Sequence, residues 1–202
     1  MSKLQKGKLI GAKVTQKVFA GLHKGKISTV EAIIVHQTGA PTATHTFNSY
    51  KTSSHGAHFL IDKKGKIYQT ALLNQKAYHV GKLRSRCIVT KACTATELAT
   101  ANAIYLKKGQ SYGLRLRNLH NHEKNKSYPD RYPMNNDSIG IEIVGDYDKT
   151  KKSYESVNAT QNKSLEWLVG ELGKHFVLDK HDVYRHPEVS YKQPSEASTA
   201  KW

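Results

Sequence analysis

The sequence is poor in the features that most often stabilise or localise a chain from outside its own core. Its 202 residues hold two cysteines, two tryptophans and five prolines, and only 16 acidic side chains against 32 lysines and arginines. No apolar run approaches the roughly 20 residues needed to cross a bilayer, so no membrane span is expected. Met1 to Val18 is basic but lacks the apolar segment and small-residue cleavage site of a secretory leader. Such a chain is expected to remain in the cytosol or to leave by a route that does not read a leader. Cys87 and Cys93 are spaced C-x5-C, which is not a zinc-knuckle spacing. They read as free thiols in a reducing compartment or as a short local disulfide in an oxidising one. With no cystine framework, stability must come from a core. A composition that is 38% hydrophobic supplies one, and a domain of this length buries about 70% of the surface its unfolded chain exposes.

The shortage of acid leaves a formal net charge of +16, which draws the protein to polyanions. Nucleic acid, an anionic membrane and the bacterial cell wall all qualify, and charge alone does not choose among them. The sequence carries no helix-turn-helix, RNP-type or zinc-finger signature, so no specific nucleic-acid partner is expected.

Residues 1–29 are basic and weakly patterned, and read as an N-terminal arm ahead of one domain spanning 30–202. Val30 to Val35 is a short apolar run rich in β-branched residues, the pattern of a buried strand. It leads into His36-Gln37-Thr38-Gly39, and the polar stretch from Pro41 to Ser53 is a helix candidate. Ala57 to Ile61 and Lys66 to Gln69 flank Asp62-Lys63-Lys64-Gly65 as a hairpin, with Gly65 suited to a positive φ. Residues 82–135 differ in character. They are basic, hold both cysteines and one helix candidate (Thr94 to Lys107), and end in a loop rich in Tyr, Pro and Asn. This segment reads as a large insertion over the site. Ser138 to Gly145 alternates as a strand, with Gly140 inside it. Asn158 to Val177 follows a helical period with Leu165, Leu168, Val169, Leu172 and Phe176 on one face, and Asn158 or Ser164 as its cap. Val183-Tyr184 is a last short strand, and Glu188 to Trp202 is polar and loop-like. Alternating strands and helices indicate an α/β (α+β) class with a central mixed β-sheet flanked by helices.

There are eleven histidines, and their positions separate them. His36 and His186 each follow a predicted strand, where a rigid scaffold presents site residues. Imidazole is a common zinc ligand, and a catalytic zinc takes three protein ligands and keeps an open position. His36 and His186 supply two candidates, and Glu196, ten residues after His186, a third across a loop. His58 and His79, in or beside the hairpin strands, are candidates to line a cleft and contact substrate. His120 and His122 form an H-x-H pair that reads as solvated. Glu142 lies within an apolar strand and faces opposite to Ile141 and Ile143. If that face lines a site, desolvation raises its pKa and suits it to general-base work.

Taken in order, these segments resemble the type 2 N-acetylmuramoyl-L-alanine amidases, a family that includes the peptidoglycan recognition proteins and phage lysozyme-like amidases. Ala32-Ile33-Ile34-Val35-His36-Gln37-Thr38 is similar to the family's first strand and zinc histidine. Gly56 to Asp62 with Gly65 to Gln69 is similar to its S-x-H-[YF]-x-I-x-x-x-G-x-[IV]-Y hairpin, with Gly56 in place of Ser. Ala77-Tyr78-His79-Val80-Gly81 resembles A-W-H-A-G, and Asn135 to Glu142 resembles N-x-x-S-I-G-I-E. Val183 to Val189 resembles V-x-G-H-x-[DE]-[IV], with Arg185 in place of Gly. The resemblance covers about residues 30–81 and 135–197.

What the resemblance implies is a zinc site in a groove on a mixed sheet, held by His36, His186 and a third ligand. The family's third ligand is Asp or Cys eight to ten residues after the second histidine. Here those positions are Pro194 and Glu196. Glu142 would be the general base, and Lys192 the nearest match to a catalytic lysine of this loop, with Lys192 or His79 stabilising the oxyanion. The implied reaction is hydrolysis of the amide between N-acetylmuramic acid and L-alanine of peptidoglycan, with Zn2+ as cofactor and peptidoglycan as partner. The implied setting is the wall, periplasmic or exterior, reached by non-classical export or lysis, as for a lytic effector with an immunity protein or an endolysin. A cytoplasmic recycling role and a peptidoglycan-binding module without catalysis are the alternatives.

Overall fold

In the computed structural model, which describes residues 2–202, the chain runs β1 (Lys3–Gln5), β2 (Lys8–Ile10), β3 (Val14–Gln16), β4 (Ala32–Gly39), α1 (Ala43–Thr52), β5 (Phe59–Ile61), β6 (Ile67–Gln69), α2 (Arg86–Thr90), α3 (Ala95–Tyr105), α4 (Tyr112–Glu123), β7 (Ser138–Asp148), β8 (Ser153–Tyr154), α5 (Ala159–Phe176), β9 (Val183–Arg185) and α6 (His186–Val189). The main sheet has the order β3-β6-β5-β7-β4-β9, with β8 on the far end of β7. It is mixed: β5 and β6 form the expected antiparallel hairpin, while β4 runs parallel to both β7 and β9. β1 and β2 form a separate hairpin. Among the described residues no helix is long and apolar enough to cross a membrane.

Parallel strands covered on both faces read as near-continuous apolar runs, and β4 is buried from Ala32 through Gln37. Alternation divides its side chains between two layers. Ile33 and Val35 of β4 and Ile139, Ile141 and Ile143 of β7 pack against Leu165, Leu168 and Leu172 of α5. Ile34 faces the other way, onto Val80, Leu83, Tyr132 and Val189. On that same face Leu60 and Val144 meet Phe47 of α1. Asn158 closes the first turn of α5 in a reciprocal capping box with Gln161. The other cap candidate, Ser164, instead donates to the Gly65 carbonyl at 2.7 Å.

The N-terminal segment does not behave as a detached arm. Leu9 is fully buried in the main core, and β3 pairs in parallel with β6 to form one edge of the sheet. Polar pins reinforce the attachment. The buried Gln69 side chain accepts the Leu9 N–H and donates to the Gly7 carbonyl, both at 2.8 Å. Strands of three residues are too short for a period-two signal to stand out in sequence.

Within 82–135, one helix is expected from sequence and three are found. Cys87 and Cys93 form a disulfide with a Cα–Cα separation of 5.4 Å. His122 is half-buried rather than free in solvent: it contacts Glu97 at 2.8 Å, and Lys126 pairs with Glu97 and Glu123, tying α3 to α4. The segment is anchored beside the loop after His186. The Arg84 N–H donates to the Val189 carbonyl at 2.9 Å, and Leu83 bridges to Ser190.

Gly140 explains its own presence inside β7. A Cβ there would stand 2.8 Å from His79 Nδ1 and 3.1 Å from the Ala57 Cβ. Gly140→Ala is therefore expected to cost about 1–3 kcal/mol through overpacking, read as a lower urea midpoint at unchanged slope. An unchanged midpoint would show that His79 moves aside freely.

Candidate active site

The sheet brings all the sequence candidates but His58 to one place. His36 lies within β4 rather than after it, directly opposite Glu142 of β7 in the parallel register. β9 pairs with the other side of β4 through Val35 and Arg185, so the next residue, His186, emerges beside His36. The two rings lie 4.1 Å apart, centroid to centroid. Glu196 reaches them from the C-terminal loop. Its Oε1 stands 2.8 Å from His186 Nδ1 and 3.6 Å from His36 Nδ1. All three side chains are buried, and one donor atom from each falls within 4.8 Å of the others. The cluster opens on a groove of about 730 Å³ also lined by Glu142, His79, Tyr154 and Lys192.

The hydrogen bonds around the two rings decide which nitrogens face the cluster. His186 Nε2 is 2.8 Å from the Val80 carbonyl. A carbonyl only accepts, so Nε2 carries the proton. A neutral His186 then turns a bare lone pair at Nδ1 toward the Glu196 carboxylate. That approach is favourable when a proton or another cation sits between the two. Two imidazole nitrogens and one carboxylate oxygen form a donor set suited to zinc, and the outer nitrogens are held in the manner of metal-bound histidines. His36 Nε2 meets His79 Nδ1 at 3.0 Å, and His79 Nε2 lies 3.4 Å from the Ser138 carbonyl. Asn135 Oδ1 accepts the N–H groups of both His79 and Val80 at 2.9 Å. One side chain thus clamps the backbone that braces both histidines.

The electrostatics divide the two carboxylates. Burial pushes Glu142 up to about 8, and the nearby Glu196 charge pushes in the same direction. Its Oε2 is buried without a hydrogen-bond partner among the described residues. Burial also pushes Glu196 up, but its bonds to His186 and His36 outweigh that and hold it at about 2. Burial and then the neighbouring His186 lower His36 to about 3. Burial followed by three surrounding histidines lowers His79.

His58, expected to line the cleft and contact substrate, is not among the residues that line the groove. It is fully buried. Its Nδ1 accepts the Gly140 N–H at 3.0 Å and its Nε2 donates to the Gln75 carbonyl at 2.9 Å, so both nitrogens serve the backbone. His79 lines the groove, but its Nδ1 is engaged with His36. Lys192 is exposed on the groove rim. Tyr154, Asn135 and Gln37 line the groove without having been singled out from sequence. For Asn135 the signal was its place at the head of the segment ending in Glu142.

Comparison with known proteins bears on the family and the fold. A family model described as N-acetylmuramoyl-L-alanine amidase matches residues 26–201. The solved catalytic domain of XlyA is 20% identical, with a TM-score of 0.53, covering 89% of this chain and 87% of that one. An AmpD derivative is 16% identical with a TM-score of 0.56, covering 95% and 89%. AmpDh3 from Pseudomonas aeruginosa, solved in complex with anhydromuramic pentapeptide, is 16% identical with a TM-score of 0.51, covering 79% of this chain and 51% of that one. At these identities the solved structures establish the shared fold. No curated protein matches the chain.

The raised Glu142 has a measurable consequence in chelator-treated protein. A carboxyl lifted from 4.5 to about 8 holds its proton more tightly when folded. Its contribution to stability is full below pH 4.5 and is lost as pH rises through 8. Glu142→Gln, neutral at every pH, is expected to melt progressively higher than wild type across that window. A melting difference independent of pH would show that Glu142 is solvated in the folded protein.

Proposed function

The chain belongs to the N-acetylmuramoyl-L-alanine amidase family, and from that premise we propose that it is a zinc-dependent amidase that cuts intact bacterial wall outside the cytosol. The observation that carries the zinc reading is the buried approach of the His186 Nδ1 lone pair to the Glu196 carboxylate, with the Nε2 proton committed to Val80. His36, His186 and Glu196 would hold the ion. When bound, zinc supplies Lewis-acid polarisation of the scissile carbonyl and an activated water at neutral pH.

The remaining chemistry belongs to the chain's own residues. Glu142, opposite His36, has an unpartnered oxygen with which to take the proton of the attacking water and pass it to the departing L-alanine amine. Its elevated pKa places proton uptake and release near the working pH. Lys192 on the rim offers an ammonium to the oxyanion. His79 orients His36 rather than binding substrate.

Peptidoglycan as substrate is supported by the family and by the AmpDh3 complex with anhydromuramic pentapeptide. Two features favour a wall-facing setting over cytoplasmic recycling. The Cys87–Cys93 disulfide suits an oxidising compartment, and a net charge of +16 suits an anionic wall. The protein then acts as an endolysin or an exported lytic effector, the latter with an immunity partner in the producing cell.

The test uses purified sacculi with bound metal quantified. Wild type is expected to release stem peptides with L-alanine amino termini and to carry one zinc per chain, the number a single catalytic site holds. His36→Ala and Glu196→Ala are expected to lose both. Glu142→Gln is expected to keep zinc while activity falls about 10²–10⁴-fold. Wild type that binds sacculi, holds no zinc and releases nothing would make the protein a binding module.

A further inference from the structure

Glu196 approaches the histidines from a loop outside the regular elements, and the side chains that set its course adjoin those histidines. Arg185, immediately before His186, turns back along the loop. Its Nε–H donates to the Ala197 carbonyl at 3.1 Å and its Nη2–H to the Ala200 carbonyl at 2.8 Å. Gln37, immediately after His36, accepts the Ala197 N–H at 3.0 Å through Oε1 and donates to the Glu155 carbonyl at 2.6 Å through Nε2. Both backbone polar groups of Ala197, the residue directly after Glu196, are therefore taken by neighbours of the two histidines. Ala197 is fully buried at a φ of 54°, a left-handed conformation that a residue with a Cβ disfavours. The surroundings must hold it there. The indole of Trp202 stacks on the Arg185 guanidinium at 4.6 Å, completing the latch.

We propose that Arg185 and Gln37 are positioning residues that lock the 193–202 loop so that Glu196 serves as the third metal donor, with Trp202 backing Arg185. The proposal rests on the zinc reading above. It accounts for Arg185 standing where the resembling pattern has glycine. A glutamate has one more rotatable bond than an aspartate, so its carboxylate stays in place only if the backbone beneath it is firmly held.

The experiment compares wild type, Arg185→Ala, Arg185→Lys and Trp202→Ala. Zinc affinity is measured by competition with a chromogenic chelator. The metal-free proteins are followed by thermal melting and by hydrogen exchange over residues 193–202. Arg185→Ala is expected to weaken zinc binding 10–100-fold, the range for removing a group that orients metal ligands. It should also speed exchange across the loop, with activity recovering in excess zinc. Arg185→Lys, which keeps the charge but not the two-pronged donor, should fall between it and wild type. Trp202→Ala, remote from the donor atoms, keeps the test open should Arg185→Ala fail to fold, and is expected to weaken zinc in the same direction. Variants that melt lower but bind zinc as wild type does would overturn the proposal and make the latch purely structural. Wild type that binds no zinc would bring down the zinc reading itself, and loop exchange would still report whether Arg185 holds the loop.

Discussion

The parallel pairing of β4 with β7 is the constraint on which both core and site depend. Side chains alternate along each strand, so one register assigns Ile33, Val35, Ile139, Ile141 and Ile143 to the layer beneath α5. The same register sends Ile34, His36, Gly140 and Glu142 to the opposite face. A slip of one residue would exchange His36 for Val35 and bury the wrong set. Hydrophobic packing against α5 and placement of the site chemistry are thus one choice made twice. β9 extends the logic, because its pairing with β4 delivers His186 to the side of His36 opposite Glu142.

Two carboxylates share this face and are driven apart in protonation. Glu142 has no hydrogen bond on Oε2 among the described residues, and burial, with the nearby Glu196 charge, raises it. Glu196 is buried as well, yet its bonds to two imidazoles hold it low. Environments that separate the pKa values of neighbouring acids assign them different work. One becomes a group that exchanges protons near neutrality, and the other a permanent anion suited to a cation. A carboxyl oxygen buried without a partner and closely packed imidazoles are both costly to the fold. Such strain is tolerated at functional sites when the rest of the core supports it, here the layer of isoleucines and leucines under α5.

Much of this could be read from the sequence, because the central strands carry their own patterns. The apolar run into His36, the hairpin around Gly65, the strand through Gly140 and Glu142, and the leucine face of α5 are local signals. The structure finds each as an element, with ends shifted by a few residues. The N-terminal strands escaped because Leu9 joins a core built from distant segments, and its N–H is taken by Gln69, sixty residues away in sequence. α4 escaped because its buried residues, Leu116, Leu119 and Glu123, make sense only against α3. Asn135, Gln37 and Arg185 act through hydrogen bonds to distant backbone, and no periodicity records such contacts.

His58 shows why position on a strand is an incomplete criterion for a site histidine. Like His36 it is buried beside β-structure on the groove side of the sheet, and burial lowers both. The difference lies in where the two ring nitrogens go. At His58, Gly140 donates to one and Gln75 accepts from the other, so the ring is complete within the fold and has nothing left to offer. At His186 the outer nitrogen is committed to Val80, and the inner one faces a carboxylate that cannot donate to it. A buried imidazole satisfied at both nitrogens is mortar between strands. One that is satisfied on the outside and turned toward an anion on the inside leaves a place that a proton or a metal cation would complete. That distinction depends on partners 106 residues apart for His186 and Val80, which is why it becomes visible only once the chain is folded.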